Sequence, residues 1–266
     1  MKKIILFIFS IALLTLSCKD NKKPIENAKT EEVTDNLNAV VETNEVEIIP
    51  VEHATAIIEY GELTIYIDPV GGAAAFEGQK NPDLILITDI HGDHLSVETL
   101  EELNTEKAKI IVPQAVADKI PASFTPQLDI LNNGEEKERF GIVIEAIPMY
   151  NLREEAKSFH EKGRGNGYVL NINGERLYFS GDTEDIPEMR SLENIDKAFI
   201  CMNLPYTMTV ESAASAVLEF KPAQVYPYHY RGRPDVSDVQ LFEELVTKGD
   251  GDIEVVRLDW YPKESY

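Results

Sequence analysis

Four potential metal ligands lie within six consecutive residues, directly after a short apolar segment. The segment Leu84–Ile87 is followed by Asp89, His91, Asp93 and His94. Imidazole nitrogen and carboxylate oxygen are ligands that a borderline cation such as Zn²⁺ accepts. A solvated turn would explain a single His-x-x-His, but four such side chains so close together favour a metal site. A bound divalent cation acidifies water and polarises the bond under attack, so the chemistry open to this site is hydrolysis.

Three further candidate ligands lie next to predicted strands elsewhere in the chain. They are His160 before the strand Tyr168–Ile172, Asp182 after the strand Arg176–Ser180, and His229 after the strand Gln224–Tyr228. Open α/β sheets gather their sites at strand ends, so these residues are placed to join the first group. The chain has five histidines. The remaining one, His53, is interpreted either as a pocket wall or as a packed core residue.

The order of these motifs resembles the metallo-β-lactamase superfamily: a compact His/Asp motif, a later His, a Gly-Asp-Thr turn and a final His after a strand. The resemblance extends over roughly residues 47 to 260. More narrowly, three segments resemble the branch that contains ascorbate-6-phosphate lactonase and N-acylphosphatidylethanolamine phospholipase D. They are His53-Ala54-Thr55, the turn Ile67-Asp68-Pro69 and the Gly-rich segment around His160.

The resemblance implies two adjacent divalent metal ions. One would be bound by His91 and His160, the other by Asp93, His94 and His229, with Asp182 bridging both; Asp93 and Asp182 are the implied catalytic carboxylates. Asp89 departs from the superfamily, which usually has a histidine there. If Asp89 binds metal, the site is less positive and a weaker Lewis acid. Zinc is the expected metal, and an oxygen ligand at this position makes Mn²⁺ or Fe²⁺ more competitive.

The implied activity is hydrolysis of an ester, lactone or phosphodiester bond by a metal-bound hydroxide. The sequence contains no Gly-x-Ser-x-Gly elbow and no phosphate loop ending in Lys-Ser/Thr, so serine-hydrolase and nucleotide-hydrolase mechanisms have no support. Two alternatives stay open. One is a metal-binding or ligand-binding lipoprotein that keeps the fold with little activity, and the other is a redox di-iron protein, although no flavin-binding domain is visible.

The charge pattern predicts a small anionic substrate. The chain carries a formal net charge of −22, yet Arg164 follows His160 and both Arg231 and Arg233 follow His229. Arginines around the metals would attract and bind phosphate or carboxylate groups, although ion pairs with the acidic surface explain them equally well. Tyr150 and His53 are the other candidate substrate-binding residues. The acidity argues against nucleic acid as a partner, and the oligomeric state stays open.

The N-terminus predicts an exported bacterial lipoprotein of the cell envelope. Two lysines and the apolar run Ile4–Leu16 resemble a secretion signal, too short to span a membrane permanently. We therefore predict a signal peptide over residues 1–17, lipidation of Cys18, a disordered tether over residues 18–46 and a hydrolase domain over residues 47–266. The lipid would be the only membrane contact, on a membrane face that stays open. Cys201, in an apolar segment, is expected to be a buried, inert thiol.

The hydrophobic pattern predicts a single α+β domain with many antiparallel strands and outer helices, arranged as a four-layer αββα sandwich. Ser96 is a plausible helix cap, and Asn173-Gly174 predicts a hairpin turn. The predicted helices are Ser96–Leu103, Val210–Phe220 and Val236–Val246. Besides the strands given above, the predicted strands are Val46–Val51, Ala56–Tyr60, Leu63–Ile67, Leu84–Thr88, Lys109–Val112, Ile142–Ile147, Ala198–Met202 and Ile253–Leu258.

Overall fold

The computed structural model describes residues 45–262, which contain two β-sheets. The predicted signal peptide, Cys18 and nearly all of the predicted tether lie outside the described residues, so those assignments stay predictions. Between residues 45 and 262, none of the helices has the length and apolar character that crossing a membrane requires.

The first sheet has six strands in sequence order. They are β1 (Glu47–Glu52), β2 (Thr55–Tyr60), β3 (Leu63–Ile67), β4 (Leu84–Leu86), β5 (Lys109–Val112) and β6 (Leu128–Ile130). The first three are antiparallel, and β3 to β6 are parallel to one another. Parallel strands end at the same edge of a sheet, so the segments that follow β3 and β4 lie side by side.

The second sheet has seven strands in the order β13-β12-β11-β10-β9-β8-β7. They are β7 (Glu136–Arg139), β8 (Ile142–Met149), β9 (Gly165–Ile172), β10 (Glu175–Phe179), β11 (Lys197–Ile200), β12 (Gln224–Pro227) and β13 (Glu254–Val255). Strands β7 to β10 form an antiparallel meander, whereas β10 to β13 are parallel. The hairpin between β9 and β10 turns at Asn173 and Gly174, both with positive φ, as predicted.

Helices cover the outer face of each sheet, which confirms the predicted αββα arrangement. They are α1 (Val97–Glu102), α2 (Gln114–Ala117), α3 (Pro187–Arg190), α4 (Val210–Phe220) and α5 (Val239–Gly249). Leu100 of α1 and Val116 of α2 pack in one apolar cluster with the first sheet. Val217 of α4 and Phe242 of α5 belong to a larger cluster that also fills the space between the sheets.

Strand β4 carries the metal motif to the edge of the fold and is buried on both faces, as its continuous apolar sequence predicts. Leu84 and Leu86 face the cluster between the sheets, while Ile85 and Ile87 face the outer cluster. The strand ends at Leu86, two residues before the predicted end. Thr88 does not continue the strand pairing, because its N–H donates to the Asp68 carboxylate at 2.7 Å. The Asp68 side chain therefore fixes the backbone at the point where the chain enters the loop of candidate ligands.

The other differences from the predicted elements have local causes. The sheets contain more parallel pairing than expected, because helical and loop crossovers link several neighbouring strands. Helix α5 begins at Val239 because the Asp238 side chain caps it by accepting the N–H of Leu241. Ser96 caps α1 as predicted. Strands β6 and β7 and helices α2 and α3 were not predicted, since they have three or four residues each and too little periodicity. Cys201 is fully buried, and burial raises the pKa of its thiol to about 12, as expected for an inert cysteine.

Candidate metal centre

The seven predicted ligands converge at one edge of the two sheets. Those after β4 are Asp89, His91, Asp93 and His94; Asp182 follows β10, His229 follows β12 and His160 precedes β9. Because β9 is antiparallel to β10, the start of β9 lies beside the end of β10. Strand direction thus explains why side chains far apart in sequence meet here.

The buried part of the cluster consists of His94, Asp182 and His229. The two imidazole Nε2 atoms are 3.1 Å apart. The Asp182 carboxylate lies beside both, with Oδ1 at 3.1 Å from His229 Nε2 and Oδ2 at 3.5 Å from His94 Nε2. On its other side, Asp182 Oδ2 lies 3.1 Å from His160 Nε2. Asp182 is therefore central to the cluster, the place that the resemblance implied for a bridging ligand.

Asp68 orients His94 from behind, a role that the sequence did not indicate. The His94 Nδ1 atom lies 2.8 Å from Asp68 Oδ2, which also accepts the Thr88 hydroxyl at 2.7 Å. An acceptor at Nδ1 places the imidazole proton there and leaves the Nε2 lone pair free for a metal. The sequence does place an aspartate directly after β3. That position would have indicated the contact once β3 and β4 were known to be parallel and to end at the same edge.

Asp93 and His53 occupy the cavity side of the cluster. Asp93 Oδ2 lies 3.4 Å from His53 Nε2 and 3.6 Å from His229 Nε2. The His53 ring packs on the His229 ring, with centroids 3.9 Å apart, and its Nδ1 shares a hydrogen bond of 2.7 Å with the Tyr261 hydroxyl. His53 therefore forms the wall of the site rather than part of a remote core. Tyr261, near the end of the described residues, had no signal in the sequence.

Asp89 and His91 lie next to His160 but have partners of their own. His91 Nδ1 lies 2.6 Å from Asp89 Oδ2. Arg164 makes two contacts with the same carboxylate, Nε to Oδ1 at 3.2 Å and a terminal nitrogen to Oδ2 at 3.1 Å. Arg164 also donates to the carbonyl of Phe159. It thus links the first ligand loop to the loop that carries His160, and does not line the cavity over the metal ligands.

The donors of the buried cluster fit a divalent cation such as zinc. Two nitrogen ligands that are 3.1 Å apart subtend about 100° at bond lengths of about 2.0–2.1 Å, close to a tetrahedral angle. Within residues 45–262, the buried Asp182 Oδ1 makes no hydrogen bond. A buried acceptor without a donor is costly, and a cation between these atoms would satisfy it. The residues therefore fit the metal ion that the motif predicts.

The electrostatics of the cluster also favour a bound cation. Burial by itself would lower the pKa of His94, but Asp68 and Asp182 raise it well above its usual value. Burial by itself would raise the pKa of Asp182, but the surrounding histidines hold it well below its usual range. Burial lowers the pKa of His229 to about 3, which leaves a neutral imidazole, the form that binds metals. His229 therefore offers a lone pair directly, whereas Asp68 and Asp182 stabilise a positive charge at His94, which a metal ion could supply in place of a proton.

A cavity of about 590 Å³ opens over the ligands. Four predicted ligands line it: His91, Asp93, His160 and Asp182. The rest of its wall includes His53, Phe159, Asn203, Tyr206, Arg231 and Arg233. Of the predicted substrate-binding residues, His53 and Arg231 line this cavity. Tyr150 lines a neighbouring cavity, where its hydroxyl donates to Glu188 at 2.9 Å.

Two loops that pack closely together form part of the cavity wall. The loop after β12 contains Gly232, where a Cβ would lie 1.8 Å from the carbonyl oxygen of Leu204 in the loop after β11. The N–H of Arg233 donates to that same oxygen at 2.8 Å. Only glycine allows this approach, and the approach holds Arg231 and Arg233 at the cavity. The sequence showed the arginines, but not the contribution of Asn203 from the neighbouring loop.

A model of the beta-lactamase superfamily domain matches residues 47–229. The chain belongs to the metallo-β-lactamase superfamily. The match includes all seven predicted ligands, and the superfamily fold implied by the motif order is confirmed. The protein is thus a metal-dependent hydrolase of this superfamily, and the alternative of a binding protein without activity is not favoured. The narrower likeness to the ascorbate-6-phosphate lactonase branch stays a prediction.

The matched relatives are metal-dependent hydrolases. A UPF0173 metal-dependent hydrolase of Pyrococcus abyssi is 32% identical over 204 residues, which are 73% of this chain and 89% of that protein. A crystal structure from Parabacteroides distasonis, assigned as a metal-dependent hydrolase, has a TM-score of 0.73 at 32% identity and covers 81% of this chain and 94% of that chain. Igni18, a metallo hydrolase of Ignicoccus hospitalis, has a TM-score of 0.66 at 23% identity, covering 80% and 94%, and shows the shared fold alone.

Proposed function

We propose that the protein hydrolyses an ester, lactone or phosphodiester bond of a small anionic substrate in the cavity over the metal centre. The observation that carries this proposal is that the ligand cluster shares one cavity with Arg231, Arg233 and Asn203. Such a cavity offers a substrate both a Lewis acid and donors for a negatively charged group. The volume of about 590 Å³ suits a small molecule.

The carboxylates of the chain have separate roles in this proposal. A bound divalent metal supplies Lewis acidity, which lowers the pKa of water toward about 7 and polarises the bond under attack. Asp182, at the centre of the cluster, would hold the metal together with His94 and His229. Asp93 is 43% exposed, and its Oδ1 can orient the attacking water by accepting a hydrogen bond from it. Burial would raise the pKa of Asp93, but His53, His94 and His229 keep it below the usual range, so the carboxylate is anionic.

Arg233 supports the proposal of an anionic substrate more directly than Arg231 does. The guanidinium of Arg231 lies 4.9 Å from the centre of the Tyr261 ring and 4.0 Å from Glu52. Arg233 is exposed at the cavity, and among the residues that the structure describes no carboxylate forms an ion pair with its side chain. A guanidinium in this position can bind a phosphate or carboxylate group through two parallel hydrogen bonds.

Zinc is the metal that we propose, bound at two adjacent positions. The buried donors are two imidazoles and a carboxylate, a set that zinc prefers. The first position is formed by His94, Asp182 and His229, and the second is next to His91 and His160. The oxygen ligands that Asp182 and the cavity-facing Asp93 can offer keep Mn²⁺ and Fe²⁺ as competitors.

Removing the metal is expected to abolish the activity. The full chain is stripped with a chelator and assayed, before and after adding Zn²⁺, Mn²⁺ or Fe²⁺, against a panel of lactones, carboxylic esters and phosphodiesters. Because water attack depends on the metal, the stripped protein should hydrolyse none of the panel and added metal should restore turnover. Elemental analysis of the active protein identifies the metal that it carries.

The panel contains neutral and anionic members of each bond type as a matched comparison. A fully metallated protein that hydrolyses no compound in it would contradict the proposed bond types. Equal turnover of neutral and anionic members would contradict the proposed substrate charge, while leaving hydrolysis itself in place.

Replacing Arg233 with Met is expected to raise KM for an anionic panel substrate about tenfold, which corresponds to about 1.4 kcal/mol of binding. The methionine keeps much of the side-chain length but removes the charge and the donors. KM for the neutral analogue should stay within twofold. Arg257→Met is the matched control, since Arg257 is 51% exposed and pairs with Glu243 on α5. Equal KM changes for both substrates would show that Arg233 shapes the loop rather than binding the anion.

A further inference from the structure

Two close pairs of donors in the centre have different geometries. The Nε2 atoms of His94 and His229 are 3.1 Å apart, a separation that two ligands of one metal ion commonly have. The Asp89 Oδ2 and His91 Nδ1 atoms are only 2.6 Å apart. On one zinc ion with bonds of about 2.0–2.1 Å, that separation would require an angle of about 80°, far from tetrahedral. A distance of 2.6 Å is instead that of a short, charge-assisted hydrogen bond.

The Asp89 carboxylate is also engaged by a cation of the chain itself. Arg164 contacts both of its oxygens, at 3.2 and 3.1 Å, and the Asp89 side chain is fully buried. Both oxygens are thus taken by N–H donors. For Asp89 to bind a metal, these contacts would have to break in a buried location, and the guanidinium would then lie beside a divalent cation. Both changes oppose a strong metal bond at this position.

We infer that the two metal positions are unequal: His94, Asp182 and His229 form a tight site, whereas Asp89 is withdrawn from the neighbouring position by Arg164 and His91, which leaves that position weak. This inference rests on the proposed metal-dependent function and deepens it. His91, His160 and the shared Asp182 remain as donors for the second ion. The positive charge of Arg164 offsets the negative charge of Asp89. An aspartate bound to the metal in place of the usual histidine would reduce the positive charge of the metal centre. Paired with Arg164, Asp89 does not.

Metal titration of the wild-type full chain tests this inference without depending on activity. Chelator-stripped protein is titrated with Co²⁺ and followed by visible absorption, and with Zn²⁺ followed by calorimetry. We expect one tight equivalent and a second that binds about 100-fold more weakly. Changes around a metal ligand typically lower metal affinity by about 10- to 100-fold, and the loss of Asp89 as a ligand should lie at the upper end of that range. Two equivalents whose Kd values agree within tenfold would overturn the inference.

Asp89→His tests whether this residue sets the inequality. Arg164→Met is made in the same chain, because the histidine provides a nitrogen ligand but would leave the guanidinium of Arg164 unpaired beside the second cation. With that charge removed, the Kd of the second equivalent should fall about tenfold or more while the first is unchanged. Asp129→His together with Arg139→Met is the matched control, because Asp129 also pairs with an arginine, Arg139, through Nε at 2.6 Å, away from the centre. A second Kd that is unchanged in a folded protein with both Asp89→His and Arg164→Met would also overturn the inference.

The outcomes separate this inference from the proposed function. Two equally tight equivalents together with hydrolysis of the panel would remove the inference alone. The absence of any tight equivalent would remove both. If the protein with Asp89→His and Arg164→Met does not fold, as judged by circular dichroism, the wild-type titration still decides.

Discussion

Asp182→Asn is expected to lose metal binding and to reduce kcat/KM by about 1,000-fold or more, equivalent to about 4 kcal/mol of transition-state stabilisation. Asp182 is the one carboxylate whose oxygens lie within 3.5 Å of three imidazole Nε2 atoms, those of His94, His160 and His229, among the described residues. The amide keeps the shape but removes the negative charge that faces the cation. Elemental analysis and steady-state kinetics on the purified full chain measure the two effects.

Asp129→Asn is the control for this substitution, because it removes a carboxylate of similar size from an ion pair outside the centre. It should leave both the metal content and kcat/KM within about twofold of wild type, because Asp129 contacts Lys137 and Arg139 rather than any candidate ligand. A folded Asp182→Asn protein that keeps its metal and its turnover would contradict the central position of Asp182 in the site.

Asp68→Asn is expected to lower metal affinity by about 10- to 100-fold, although Asp68 lies behind the ligands. Asp68 accepts three hydrogen bonds, from the Thr88 N–H, the Thr88 hydroxyl and His94 Nδ1. If the amide oxygen stays with the Thr88 N–H, the amide NH₂ faces His94 Nδ1. His94 would then carry its proton on Nε2, the nitrogen that the metal needs. Calorimetric titration with Zn²⁺ measures the change in Kd.

A loss of stability must be distinguished from this effect on the histidine. Asp83→Asn serves as the control, because Asp83 also accepts a backbone N–H, from Thr64 at 3.0 Å, but precedes β4 at the end away from the metal. Thermal melts of both variants show how much each aspartate contributes to folding. A tenfold or greater loss of affinity in Asp68→Asn, with Asp83→Asn unchanged, supports the orienting role; equal affinities would contradict it.

Asp89 illustrates how a ligand-type residue can be identified without its role being known. In the sequence it occupies the position of a superfamily ligand, and both its chemistry and its spacing are suitable. The structure adds Arg164, which comes 75 positions later and contacts both carboxylate oxygens. Arg164 itself was predicted to bind substrate, because a basic residue near His160 can serve either purpose. Only the packing of the two loops reveals the pair.

The sequence by itself determined the types of the candidate ligands, their order and the strands next to them, because apolar segments and Gly-Asp or Asp-His turns are local patterns. It also determined that Cys201 would be buried and that Asn173-Gly174 would turn a hairpin. The tertiary structure alone decided which donors face one another, that Asp68 supports His94, and that Asn203 joins the cavity wall. These depend on strands that are distant in sequence ending at the same edge, and on contacts such as Gly232 against Leu204. Sequence patterns report the environment of each segment, whereas the partner of a buried charge is fixed only when the sheets pack.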